Sequence, residues 1–550
     1  MWGKEEYMLD METKLKLAIQ EALSKIGANV DIKDIVIEHS KDKAHGDYAT
    51  TVAMQMARVL RKSPRDIAAS LVENLNKDGI ENVEIAGPGF INFFMKNESL
   101  TSIIKMIVDQ GESYGESKDK REGKINVEFV SANPTGDLHL GHARGAALGD
   151  VICRLYKKAG YDVTREYYVN DAGNQINNLA YSIQARYHHE CGDTSFPFPE
   201  DGYHGKDLIN LAKLLKEEKG NSLLEVNEEN FQFFKTIGTK IKLDNIIQDL
   251  KDFRVQFDVF SSELAIRGAG KVDEVLKIMD KWIYTQEGAT FLKTTDFTDD
   301  KDRVIIKSDG AYTYLLPDIA YHKDKLERGF TTLVDCLGAD HHGYIERMRS
   351  SLMMLGFPGD CFNVELIQMV RLFKDGQEFK MSKRTGNAVS MKELCEDCGV
   401  DAVRYFFVSR AASSHLDFDL DLAGKMDSSN PVYYAQYAHA RLCAVLEKAK
   451  DINLDIEGKN LKEEKELKLL KVLCDFPKEI VQAAEARAPF KITNYIQKLA
   501  TTIHEFYTEC RVIDETNLDV TSSRLALCKA AKIVMSNALT TIGVSAPTKM

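Results

Sequence analysis

The chain has 550 residues, 44% of them hydrophobic and 28% charged, with a formal net charge of −12 at pH 7. That length is more than one hydrophobic core organises, so it predicts three or four domains. No apolar run reaches the ~20 residues of a membrane helix, and the acidic start Met1-Trp2-Gly3-Lys4-Glu5-Glu6 suits neither a secretory nor a transit peptide. The ten scattered cysteines fit reduced thiols better than a disulfide framework. These features predict a cytoplasmic protein with no membrane partner. Cys395 and Cys398 form a CxxC, but a zinc site needs a second ligand pair that the sequence lacks, and the pair reads as helix surface. Charge is uneven. Residues 431–550 hold 17 basic and 15 acidic residues, net +2, which leaves −14 for the rest. A locally basic face can still dock a phosphate backbone, because fields act over a Debye length of ~8–10 Å.

In chain order, Leu15, Ile19, Ala22, Leu23 and Ile26 form one helical stripe over residues 11–26. Helix and strand signals then alternate to residue 94. The polar, glycine-bearing stretch 110–123 reads as a linker. Residues 125–130 predict a buried strand, 131–137 a loop, 140–160 a helix and 162–169 a second strand. This is a βαβ unit and implies a parallel sheet with a right-handed crossover. A similar set recurs as strand 331–336, loop 338–343, helix 344–355 and strand 363–370. Residues 181–300 between the two sets are charged and helical, which predicts an insertion into a two-part nucleotide-binding sheet. From Pro431 onward the pattern is helix after helix.

Two short basic segments carry the chemistry. His139 and His142 share one face of a helix at its first turn, where free N–H groups and the positive dipole end favour phosphate. Histidines there can follow charge onto a leaving pyrophosphate, and Gly141 lets a nucleotide approach the backbone. An isolated HxxH is more often a helix cap beside a packed side chain. Lys380, Met381, Ser382 and Lys383 lie in a loop bracketed by Gly376 and Gly386. Ammonium groups brought in by closure of such a loop can stabilise a pentavalent phosphate.

His139-Leu140-Gly141-His142 followed by Lys380-Met381-Ser382-Lys383 resembles the paired signatures of class I aminoacyl-tRNA synthetases. The segments 127–136, 168–175, 338–343, 415–419 and 437–441 narrow the resemblance to the arginyl-tRNA synthetase family over nearly the whole chain. It implies an α/β fold: a Rossmann-type parallel-sheet catalytic domain (116–430, insertion about 181–300), an α+β N-terminal tRNA-contacting domain (1–115) and an all-α anticodon-binding bundle (431–550). It implies Glu128, Ser131, Asn133, Tyr314 and Asp318 as arginine-binding residues, with Gly141, Gly338, Asp340, His341, Met381 and Ser382 at ATP and His139, His142, Lys380 and Lys383 as the catalytic set. Asp340 stands where some family members carry a glutamine, and either the guanidinium or the nucleotide could be its partner. Arg384 ends the second signature where other class I enzymes carry serine.

A guanidinium is a planar, permanently charged fork that suits carboxylates and a flat aromatic face, which agrees with Glu128, Asp318 and Tyr314. The resulting expectation is an arginyl-tRNA synthetase of bacterial type. It would use L-arginine, ATP with Mg2+ and tRNA(Arg), without DNA and without a tightly bound metal, since phosphates hold most of the magnesium. A class I synthetase for another amino acid, cysteine above all, and an inactive tRNA-binding paralogue are the alternatives. A further expectation is that removing residues 431–550 leaves the ATP pocket folded.

Overall fold

The structure is a computed structural model that describes residues 11–40, 45–341, 343–379 and 389–550. Lys380, Met381, Ser382, Lys383 and His342 lie outside the described residues.

The N-terminal part runs α1 (Met11–Lys25), β1 (Ile37–His39), β2 (Tyr48–Thr50), α2 (Val52–Leu60), α3 (Pro64–Asn74), β3 (Ile80–Ala86), β4 (Phe90–Met95) and α4 (Asn97–Gln110). Its four strands form an antiparallel sheet in the order β1-β2-β4-β3, over a core that includes Leu15, Ile19, Ile67 and Phe93. The central part begins with β5 (Lys124–Glu128), α5 (Leu140–Lys158), β6 (Asp162–Val169), α6 (Asn174–Glu190), α7 (Lys206–Lys219), α8 (Glu228–Asp252), β7 (Val259–Ser262), α9 (Glu263–Gly268) and α10 (Lys271–Met279). It continues through β8 (Ile283–Gln286), β9 (Ala289–Leu292), β10 (Arg303–Ile306), α11 (Leu315–Glu327), β11 (Thr332–Gly338), α12 (Tyr344–Met354) and β12 (Phe362–Ile367). Next come β13 (Val370–Lys374), β14 (Gln377–Glu378), α13 (Met391–Cys398), α14 (Val400–Val408), β15 (Leu416–Asp419) and α15 (Leu420–Ala423). Four long helices close the chain: α16 (Pro431–Lys448), α17 (Glu464–Glu485), α18 (Phe490–Glu509) and α19 (Leu518–Thr541). None of the described helices is long and apolar enough to cross a membrane.

The central sheet is parallel throughout, in the order β12-β11-β5-β6-β7. The chain builds outward from β5 through β6 to β7, then returns to the other side of β5 with β11 and β12. The order therefore reverses between β5 and β11, and a crevice opens outside their carboxyl ends. Helix α5 packs closely on this sheet because it carries small residues. A β-carbon on Gly149 would lie 2.3 Å from the Phe129 ring.

Three features differ from the sequence reading. Strand β7, within the expected insertion, is the fifth strand of the main sheet; its four residues are too few for a periodicity signal and pair only because β6 lies beside them. The polar stretch after α4 is packed, with Tyr114 2% exposed and its hydroxyl donating to the Leu473 carbonyl at 2.9 Å. Finally, the C-terminal helices share one continuous apolar core with β5, α5 and α14. A cut at residue 431 would expose that core, so the expectation that residues 1–430 keep the ATP pocket folded by themselves is corrected.

Candidate active site

At the carboxyl end of β5 the backbone turns abruptly. Val130 and Ser131 both have positive φ, 68° and 39°, a conformation a β-branched residue adopts only under tertiary constraint. The turn brings the Ser131 hydroxyl back to donate to Glu128 Oε1 at 2.9 Å, while Ser131 Oγ accepts from the Tyr168 amide at 3.1 Å. Beyond the loop, His139 is the N-cap of α5. Its Nδ1 accepts from the amides of Gly141 (3.1 Å) and His142 (3.4 Å), and His142 Nδ1 accepts from the His139 amide at 3.4 Å. The two rings stack with centroids 3.7 Å apart. With both Nδ1 atoms accepting, each neutral ring carries its proton on Nε2. Partial desolvation lowers the pKa of His139. Desolvation and the neighbouring His139 bring His142 down to about 4. Both histidines of the HxxH motif thus cap the start of α5.

The segment that carries the second signature is anchored next to the first. It leaves at Phe379, whose amide donates to the Leu372 carbonyl at 2.7 Å, and returns where the Met391 amide donates to the Leu138 carbonyl at 2.7 Å. Ser390 forms an antiparallel bridge with His139 itself. Behind this junction Arg144 is fully buried and donates to the carbonyls of Gln368, Ser414 and Ala411 at 2.8, 2.8 and 2.9 Å. Burial lowers its pKa to about 10.

Beside Glu128 lies a pocket of about 220 Å3, lined by Glu128, Tyr168, Glu263, Tyr314, Asp318 and Tyr344 among others. Helix α11 supplies its charged wall, with Asp318, His322 and Lys325 along one face. Lys325, wholly buried, pairs with Glu128 Oε2 at 2.5 Å and Asp335 Oδ1 at 3.4 Å. His322 Nε2 donates to Asp335 Oδ2 at 2.8 Å and Nδ1 to the Asp318 carbonyl at 2.7 Å. Glu128, His322 and Asp335 bring ligand-type atoms within 4.8 Å of one another, but Lys325 already pairs with two of the three, which makes this an ion-pair cluster rather than a cation cradle. Asp318 is the exception. Its carboxylate accepts from the Tyr344 hydroxyl at 3.3 Å and has no ion pair among the described residues. Burial pushes its pKa up to about 7; His322 opposes this while Glu128, Glu263 and Asp335 add to it.

Three family models match the chain: Arginyl tRNA synthetase N terminal domain over residues 13–95, tRNA synthetases class I (R), catalytic domain over 103–406, and DALR anticodon binding domain over 435–550. An arginine–tRNA ligase of Bacillus subtilis (strain 168) is 51% identical over 551 residues, covering 98% of this chain and 99% of the relative. One from Geobacillus kaustophilus (strain HTA426) is 50% identical over 552 residues, with the same coverage. The chain belongs to the arginyl-tRNA synthetase family. The solved Thermus thermophilus arginyl-tRNA synthetase shares its fold, with a TM-score of 0.76 at 20% identity over 98% of this chain and all of that one.

The residues expected for arginine in this synthetase chain fall in three settings. Glu128, Tyr314 and Asp318 line one pocket. Tyr314 is 81% exposed there, so it is no core tyrosine. Ser131 touches the pocket through Glu128, and Asn133 lies at the surface with its amide donating to Gln175 Oε1 at 2.7 Å. Of the residues expected at ATP, Gly338 ends β11, and His341 lines the same pocket as Glu128. The Asp340 carboxylate, 83% exposed, lies 3.7 Å from His341 Nε2 and is not among the pocket-lining residues. Sequence reasoning missed Lys325, His322, Asp335 and Glu263. A signal for two of them was present: Asp318, His322 and Lys325 recur at helical spacing along α11.

Proposed function

We propose that the protein ligates L-arginine to tRNA(Arg) in two steps at the crevice between β5 and β11. An α-carboxylate oxygen of arginine attacks the α-phosphorus of ATP, giving arginyl-adenylate and releasing pyrophosphate. The terminal ribose 2′-hydroxyl of tRNA then attacks the acyl carbon and AMP leaves. The reading rests on one observation above all: Asp318, a carboxylate with no ion pair among the described residues, lines one pocket with Glu128 and Tyr314. Asp318 and Glu263 meet the guanidinium against Tyr314. Glu128, already held by Lys325 and Ser131, fixes the reacting end together with Asn133. His139 and His142 donate to the phosphates with Gly141, Gly338 and His341 alongside, and Lys380 and Lys383, with Met381 and Ser382, neutralise the departing pyrophosphate. Magnesium enters with ATP, held chiefly by its phosphates. No protein nucleophile is needed, because positioning and charge stabilisation suffice.

In this reading residues 1–115 touch tRNA, 116–430 carry out the chemistry and 431–550 bind the anticodon. A partly exposed aromatic surface on α16 and α18 supports the last assignment: Tyr437 stacks on His504 at 5.9 Å and Arg441 lies 3.8 Å over the Tyr507 ring. The test is ATP–pyrophosphate exchange with each amino acid, with and without tRNA. Exchange that is specific for arginine and stimulated by tRNA is expected; exchange driven by another amino acid, or by none, removes the reading.

A further inference from the structure

The charge balance of the pocket points to a specificity device that the family motifs do not include. Three carboxylates face one another across it: Glu128 from β5, Asp335 from β11 and Asp318 from α11. Two cations are built in. Lys325 is one. His322 is the other, and its charge follows from geometry. Its two ring nitrogens face a backbone carbonyl and a carboxylate, at 2.7 and 2.8 Å. Neither oxygen can donate, so both nitrogens must carry hydrogen and the ring is an imidazolium. Asp335 holds that charge although burial opposes it, and the pKa of His322 stands above its ordinary value.

The remaining charged groups around the pocket are matched in pairs. Glu263 of α9 is bound by Arg267. Glu166 of β6 receives two bonds of 2.8 Å from Arg328, with further donors in Asn126, Ser261 and Tyr321. Tyr344 of α12 gives Asp318 a neutral donor, and His341 lies at the rim. Two internal cations against three carboxylates leave a deficit of one positive charge, located at Asp318.

We propose that His322 and Lys325 are specificity-determining positioning residues: as fixed internal cations they neutralise Glu128 and Asp335, leaving Asp318 one charge short, so that the pocket selects a singly charged side chain and releases the Asp318 proton when that side chain binds. The proposal rests on the arginine reading and extends it to the residues that set the charge count. Arginine competes with a proton for Asp318. A neutral ureido isostere, citrulline, fits only the protonated form.

The test is isothermal titration calorimetry of the full chain with arginine and with citrulline from pH 6 to 8, in two buffers of different ionisation enthalpy. With Asp318 titrating at about 7, arginine affinity should rise about tenfold from pH 6 to 8, with up to one proton released, while any citrulline binding weakens over the same range. His322→Gln removes a cation facing Asp318 and should move the arginine transition to higher pH, as should Lys325→Met. Lys325→Arg retains the charge and should retain the wild-type profile. Arginine affinity that is flat with pH and releases no proton overturns the proposal, as do charge-removing variants that fold and titrate like wild type. A chain that binds another amino acid and never arginine overturns the functional reading instead, which keeps the two failures apart.

Discussion

A side chain at Gly141 would crowd the His139 ring. A β-carbon there would lie 3.0 Å from His139 Cε1 and 3.2 Å from Nδ1, inside the atoms that cap α5. Gly141→Ala should therefore rotate His139 off the cap, costing about 1 kcal/mol of stability and slowing adenylate formation tenfold or more in a single-turnover assay; an unchanged rate would show that the ring has another resting place. Glu128 illustrates how packing assigns a role. Both its oxygens are engaged, by Lys325 and Ser131, so Glu128→Gln should raise the arginine KM and also lower stability. Removing one member of a buried pair costs on the order of 3–5 kcal/mol, and ATP affinity should hardly change. Equal losses for arginine and ATP in equilibrium binding would place Glu128 at the nucleotide instead.

Helix α14 shows how one element can tie distant parts of the chain together. Arg404 is wholly buried and donates to Asp150 of α5 at 2.6 Å, to the Phe253 carbonyl after α8 at 2.9 Å and to the Ile542 carbonyl after α19 at 3.2 Å. Arg404→Ala leaves the Phe253 and Ile542 carbonyls without that donor and Asp150 to Arg154 at 2.7 Å, and should lower the unfolding free energy by about 3–5 kcal/mol, measured by denaturant titration. A change below about 1 kcal/mol would mean that water replaces it. Helix α11 carries a pH signature as well. Burial raises the pKa of Glu166, but Lys325, Ser261 and Arg328 together hold it below the ordinary value. A carboxylate depressed on folding stabilises the protein above the unfolded-state value of about 4.3, and that stability is lost as pH falls through the lower folded value. Arg328→Ala weakens the depression, so acid unfolding followed by circular dichroism should begin at higher pH; an unchanged acid midpoint would assign the depression to the remaining partners.

Across the whole molecule, the N-terminal part and the helical bundle meet through named contacts. Asn537 of α19 donates to the carbonyls of Gly111 and Tyr114 at 2.9 and 3.0 Å, and Lys471 and Lys478 of α17 pair with Asp47 and Glu12 at 2.6 and 2.9 Å. Because the bundle shares its core with α5, movement at the anticodon-binding end has a packed route to the helix that carries His139 and His142. Coupling of ~1–3 kcal/mol is enough for tRNA to gate activation. Asn537→Ala, which loosens the bundle without exposing its core, should reduce tRNA stimulation of pyrophosphate exchange several-fold while arginine binding in the absence of tRNA stays unchanged. Undiminished stimulation would mean that the signal travels by another path.

The sequence by itself determined the family and the elements around the first signature. Strand β6, Asp162–Val169, and helix α5 from Leu140 were legible because buried apolar runs and a helix start are local patterns, and the two signatures stood out because several motifs agreed in order. Strand β7 was not legible, since four residues become a strand only when a neighbour offers a free edge. The packing of residues 110–123 was likewise invisible, because a polar stretch gives no sign that its one tyrosine lies under a distant helix. The charge pattern of the pocket was decided by tertiary structure alone. Asp318, His322, Lys325, Glu128 and Asp335 lie on three elements up to about two hundred residues apart in sequence. Whether a buried carboxylate is neutralised or left to meet a substrate depends on which cation folds against it, and local sequence does not encode that distance.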